Sequence, residues 1–199
     1  MIRTFIAIEL PDSLCLALAD LQERLRERLD GEGAARAVRW AKPGGIHLTL
    51  KFLGEVEEDF VPDIALALEG AAQGVGEFEL EPARVGCFPD LRSPRIVWVG
   101  FGAAPEPLFR LVRQVEEAMA GLRFPRERRD FQPHLTVGRV ADRTRSAERK
   151  AVGRIVREVG APAFAPFRVT GAALMQSELG REGARYTRLV ECRYCRKGP

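Results

Sequence analysis

Two short apolar runs carry the same triplet, and the chain holds no histidine outside them. Ile46-His47-Leu48-Thr49-Leu50-Lys51-Phe52-Leu53-Gly54 and Phe131-Gln132-Pro133-His134-Leu135-Thr136-Val137-Gly138 both read His-Leu-Thr followed by an aliphatic residue. Each run is rich in β-formers and bounded by Pro or Gly, the pattern of a buried strand. Side chains alternate faces along a strand. His47, Thr49 and Lys51 are therefore expected on one face, with Ile46, Leu48, Leu50 and Phe52 on the other. In the second run His134 and Thr136 share a face with Gly138, while Leu135 and Val137 point away. Each strand offers an imidazole beside a hydroxyl over an apolar back, and a fold that buries both backs constrains where the polar faces lie.

A single His-x-Thr in an apolar strand is ordinarily a hydrogen-bonded core histidine. Two copies with Leu at the same place, each behind a Gly- or Pro-containing turn, point instead to a shared site. Paired imidazoles suit one chemistry well. With a free pKa of about 6.5, one ring is neutral and another protonated near neutral pH, so one takes a proton as its partner gives one. A phosphodiester displacement asks for that pair, with donors on the non-bridging oxygens, which Thr49 and Thr136 would supply. Lys51, on the His47 face, is a candidate phosphate contact; the alternative is a lysine snorkelling at the strand end. The rival reading is a metal site. A catalytic zinc generally needs three protein ligands, and the sequence shows neither H-x-x-x-H spacing nor an adjacent acidic ligand.

The paired motifs His47-Leu48-Thr49-Leu50 and His134-Leu135-Thr136-Val137, 87 residues apart, resemble the two H-x-T-x motifs of the two-histidine phosphoesterase superfamily. Flanking segments resemble its RNA 2′,3′-cyclic phosphodiesterases, also called 2′-5′ RNA ligases. They are Arg3-Thr4-Phe5-Ile6-Ala7-Ile8-Glu9-Leu10-Pro11, Lys51-Phe52-Leu53-Gly54-Glu55-Val56, Arg95-Ile96-Val97-Trp98-Val99-Gly100 and Arg185-Tyr186-Thr187. The resemblance spans nearly the whole chain. It implies hydrolysis of a terminal 2′,3′-cyclic phosphate on RNA to a 2′-phosphomonoester, with His47 as proton donor, His134 as proton acceptor, and neither metal nor nucleotide cofactor. Run backwards, the same groups would join a cyclic end to a 5′-hydroxyl. The partner implied is RNA with a 2′,3′-cyclic phosphate end, tRNA fragments among them, with no membrane and no obligate protein partner. Arg139 stands where the family often has Arg, although strict alternation puts it on the wrong face unless Gly138 marks a bulge. Tyr186 is a further cleft candidate. Phe52 and Phe131 could stack on bases, but burial is the simpler expectation. Other readings left open are a related enzyme for small cyclic nucleotides or 2′-5′ oligonucleotides, and a non-catalytic module that binds RNA ends.

The rest of the chain reads as scaffold. A strand over 2–10 precedes a helix over 11–29, with Leu14, Leu18, Leu21 and Leu25 at helical spacing. Asp12 and Ser13 suit that helix's start. A short strand at 38–40, with Trp40 as packing, leads through the turn Pro43-Gly44-Gly45 to the first motif. Further helices are expected over 57–72, 105–122 and 146–159, and strands over 77–88, 95–101, 167–177 and 185–192. The loop Glu178–Gly183 could overhang a cleft. Mixed order of this kind predicts an α+β fold. The expected arrangement is one two-lobed domain over 1–199, each lobe an antiparallel sheet with helices outside, and the His-x-Thr strands facing a central cleft. No apolar run approaches the roughly 20 residues that span a bilayer, and the start lacks a signal-peptide pattern, so a cytoplasmic protein is expected. The net charge is only +3, from 31 basic and 28 acidic residues. Four arginines nevertheless crowd into 123–129, just ahead of the second motif, and a local positive field suits an anionic substrate. Cys192-x-x-Cys195 has no second pair to complete a zinc site, and free thiols in a reducing compartment are the simpler account.

Overall fold

Apolar residues spaced three and four apart make four amphipathic helices, and period-two runs make the strands between them. The computed structural model describes residues 1–180 and 183–194. Its elements are β1 (Ile2–Glu9), α1 (Asp12–Asp30), β2 (Val38–Trp40), β3 (His47–Val56), α2 (Val61–Ala72), β4 (Phe78–Leu80), β5 (Pro82–Phe88), β6 (Ile96–Phe101), α3 (Glu106–Gly121), β7 (His134–Val140), α4 (Ser146–Val159), β8 (Phe167–Val169), β9 (Gly171–Gly180) and β10 (Gly183–Arg193). The fold is α+β, as the element order predicts. Residues 77–88 form two strands where one is expected: β4 pairs with β8 in a separate ribbon, and β5 joins the main sheet. The 178–183 segment extends the β9–β10 pair on the described residues either side of 181–182, and Cys195 lies outside the described residues. Helix α1 begins at Asp12 after Pro11 without a side-chain cap, so Asp12 and Ser13 do not cap it.

The main sheet runs β10-β9-β1-β3-β7-β6-β5, antiparallel throughout, with β2 beside β7. Its two arms meet where β3 and β7 pair at Leu48 and Leu135. Helices α2 and α3 back the arm that holds β9, β10 and β3, and α1 and α4 back the arm that holds β5 and β7. The main core fills the space between sheet and helices and includes Ile6, Leu18, Leu21, Leu48, Leu68, Val99, Leu111, Leu135, Val137 and Ile155. A second, small cluster lies on the opposite, open face of β1 and β9, from Phe5, Ala7, Ala173 and Met175, with Tyr186 against it. No helix among the described residues is long and apolar enough to cross a membrane.

Candidate active site

The two motif strands meet head to tail. Leu48 pairs with Leu135, both buried on the helix side. Continuing that antiparallel register sets His47 across from Thr136 and Thr49 across from His134 on the open face. The histidines thus occupy one diagonal of a four-residue square and the threonines the other. All four side chains are half-buried. Neither threonine hydroxyl has a hydrogen-bond partner among the described residues.

Both imidazoles are oriented by the same device. His47 Nδ1 lies 2.8 Å from the Gly45 carbonyl, and His134 Nδ1 lies 2.7 Å from the Gln132 carbonyl, in each case two residues upstream. A carbonyl only accepts, so Nδ1 carries the proton in both rings and Nε2 is left for chemistry. The surroundings differ. The His47 ring stacks on Phe5 with centroids 4.6 Å apart, and Tyr186 meets it edge-on at 4.9 Å. Burial pushes the His47 pKa below the ordinary histidine value, and the Gly45 carbonyl opposes that shift. His134 meets the edge of Phe88 at 5.0 Å, and Phe88 in turn lies 5.2 Å from Trp98. The Trp98 indole lies across Gly86 and Gly100. A Cβ there would come within 2.5 Å and 2.8 Å of the ring, so only glycine leaves it room. Its indole nitrogen is buried without a partner.

The alternation expected from sequence first breaks at the same place in each motif. Along β3 the pairing with β1 skips Leu50, and again Leu53, and along β7 the pairing with β6 skips Val137. The bulges at Leu50 and Val137 fall three residues after the histidine, and each reverses the faces just beyond it. Lys51 is the clearest correction. It shares no face with His47 but is buried on the helix side, where Nζ donates to both Glu116 carboxylate oxygens and to the Pro125 carbonyl, each at 2.8 Å. Phe52, expected in the core, is instead 64% exposed on the open face. Gly138 turns inward: a Cβ there would lie 2.6 Å from Val38 Cγ1. Arg139 comes out onto the open face beyond Thr136. Phe52 and Arg139 thus hold corresponding places, five residues after their histidines. Tyr186 lies in the cleft against His47, Phe5 and Gly45. Phe131 packs edge-on at 6.3 Å with Phe109 of α3, and Trp40 lies under Arg26 of α1.

Sequence reasoning missed Phe5, Phe88, Trp98 and the two carbonyls. Only the glycines flanking Trp98, at Gly86 and Gly100, carry a signal of close approach. Among the described residues no three His, Cys, Asp or Glu side chains gather as metal ligands. A cavity lined by Val75, Phe78, Arg110 and Arg168 lies elsewhere and contains neither histidine.

The family described as the 2′-5′ RNA ligase superfamily matches residues 10–181. A protein of Methanothermobacter thermautotrophicus named RNA 2′,3′-cyclic phosphodiesterase is 32% identical over 188 residues, 94% of this chain and 95% of its own. The crystal structure of TT0787 of Thermus thermophilus superposes with a TM-score of 0.78 at 26% identity, covering 98% of this chain and all of its own. E. coli LigT complexed with 3′-AMP gives 0.67 at 26% identity, covering 97% of this chain and 98% of its own. The chain belongs to the 2′-5′ RNA ligase superfamily.

Proposed function

We propose that the protein hydrolyses the terminal 2′,3′-cyclic phosphate of RNA to a 2′-phosphomonoester by paired-histidine acid–base catalysis. The observation that carries this reading is the diagonal square, with both Nδ1 atoms tied to carbonyls. A phosphorus atom at its centre has an imidazole Nε2 on each side, as in-line displacement requires, and a hydroxyl donor at each remaining corner for the non-bridging oxygens. The His134 Nε2 takes a proton from water as the water oxygen bonds to phosphorus. The P–O3′ bond breaks, and protonated His47 gives its Nε2 proton to the departing oxygen. A 3′-hydroxyl and a 2′-phosphate result. Water exchange then returns the proton to His47 and removes it from His134. Arg139 and Tyr186 border the reacting centre as substrate contacts. The reverse sequence would ligate a cyclic end to a 5′-hydroxyl through a 2′-5′ bond.

The reading needs no metal, cofactor or obligate protein partner. It names cyclic-ended RNA, tRNA fragments included, as the substrate and the cytoplasm as the setting. The test is hydrolysis of a short RNA ending in a 2′,3′-cyclic phosphate with EDTA present, the product isomer being identified. Turnover to a 2′-phosphate is expected. A 3′-phosphate product would overturn the assignment of leaving oxygen, and an absence of turnover would overturn the reading itself.

A further inference from the structure

Arginines without a counter-ion gather at one end of the sheet. Three chain segments stand side by side there: 36–37 ahead of β2, 92–95 ahead of β6 and 141–144 after β7. Arg36, Arg92, Arg95 and Arg143 on these segments are exposed. None of the four side chains has a hydrogen bond or ion pair with any described residue. The helix arginines Arg26, Arg28, Arg113 and Arg154 are, by contrast, ion-paired. Three acids lie near the rim. Asp90 is turned back onto the Arg92 and Ser93 amides, at 2.7 and 2.9 Å. Asp30 and Asp142 pair with none of the four arginines. The balance stays positive, and the arginines repel one another until an anion lies among them.

The segments are stitched together. Half-buried Arg149 of α4 donates to the Pro94 carbonyl at 2.6 Å and to the Ala141 carbonyl at 3.3 Å. The Ala37 carbonyl accepts the Ala141 amide at 2.9 Å and the Thr144 hydroxyl at 3.2 Å. The Val140 amide donates to the Arg95 carbonyl at 2.9 Å. These bonds fix the three backbones against one another and leave the arginines at the surface. The rim is separate from the reacting centre. Arg139 borders that centre, and Arg39 opposes it across the β2–β7 pair; the rim lies beyond both. Trp98 pairs with Thr136, and Arg95 stands three residues further along the chain from Trp98, about 10 Å at the rise of a strand. That span matches about three residues of a nucleic-acid strand stacked at roughly 3.4 Å each.

Resting on the reading that a cyclic phosphate occupies the square, we propose that this rim binds the RNA backbone upstream of the reacting end, at about the second to fourth phosphodiesters. Guanidinium forks match phosphate geometry. The rim makes the enzyme favour the end of an RNA strand over a cyclic dinucleotide-length fragment.

The test compares wild type with the triple variant Arg36→Gln/Arg95→Gln/Arg143→Gln on a dinucleotide and a decanucleotide, both ending in a 2′,3′-cyclic phosphate. The triple variant should lower kcat/KM about thirtyfold on the decanucleotide, through KM, and by the same measure hardly at all on the dinucleotide. A decanucleotide with neutral methylphosphonates at its second to fourth linkages from the cyclic end should cost wild type about as much and the variant nothing more. A control triple on the helices, Arg24→Gln/Arg113→Gln/Arg157→Gln, removes the same charge. Equal loss in both triples, equal loss on both substrate lengths, or no loss would overturn the rim. Binding of an uncleavable 3′-phosphorylated decanucleotide is followed against salt in parallel. The rim triple should flatten the slope of log Kd on log salt by about 2, three single-strand contacts at about 0.7 each, and an unchanged slope would overturn the rim. A rim-dependent slope without any turnover would keep the rim and sink the hydrolase reading; turnover with a rim-independent slope would do the reverse.

Discussion

The environment of each imidazole sets its working range. General acid–base catalysis contributes about 10²–10⁴-fold, so His47→Ala and His134→Ala should each lower kcat by that order while circular dichroism stays native. Thr49→Val and Thr136→Val remove one donor each from the non-bridging oxygens, and each should cost about 10²-fold in kcat. Burial against Phe5 and Tyr186 lowers the His47 pKa. A donor must be protonated, so the alkaline limb of kcat/KM should fall below pH 6.5, the ordinary histidine value, and activity should decline as pH rises through it. A bound phosphate anion favours imidazolium, so the same limb in kcat should lie higher. Tyr186→Ala uncovers the ring and should move the free-enzyme limb upward. With only two histidines in the chain, NMR titration follows the shift directly; an unmoved His47 would remove Tyr186 as the cause.

At the scale of single elements, the bulges at Leu50 and Val137 decide which side chains face the substrate. The β3 bulge sends Lys51 inward to Glu116, whose carboxylate also accepts the Glu127 amide. The pair therefore ties the start of the arginine-rich loop to α3. Lys51→Met leaves the half-buried Glu116 carboxylate without its counter-charge, held only by the Glu127 amide, which should cost up to about 3 kcal/mol in urea unfolding while activity per folded molecule is kept. Had Lys51 touched phosphate, the loss would fall on KM instead. In β7 the bulge depends on Gly138, since a Cβ there would meet Val38 and Trp40. Gly138→Ala should destabilise by about 1–3 kcal/mol through overpacking and raise KM by displacing β2. The helices and most strands were legible from sequence because their signals are local: leucine spacing in α1, valine and isoleucine spacing in α4, alternation in β6. The β3 bulges were not, because a bulge is a mismatch between two strands and leaves no mark on either one alone; the β7 bulge was raised only through Arg139 standing after Gly138, and it falls one residue earlier, at Val137.

On the scale of the whole molecule, the chain crosses between the arms repeatedly. β1 lies in one arm and α1 in the other; β3 and α2 return, and β5 leaves again. Neither arm is a continuous stretch, so we expect one cooperative folding unit. Both tryptophans, Trp40 and Trp98, sit in the arm of β2 and β6. Their fluorescence and far-ultraviolet circular dichroism should then give coincident urea transitions, whereas separate midpoints would mean that the arms unfold independently. By itself the sequence determined the fold class, the four helices and the two His-x-Thr strands, since residue type and periodicity encode them within each segment. It also singled out the four residues of the square. Only the tertiary structure decided that histidines and threonines lie on opposite diagonals, that Lys51 is buried, that Phe52 is exposed and that Arg39 meets Arg139. Each of these depends on the register between strands distant in the chain, and register is fixed by burying the apolar backs of both arms together.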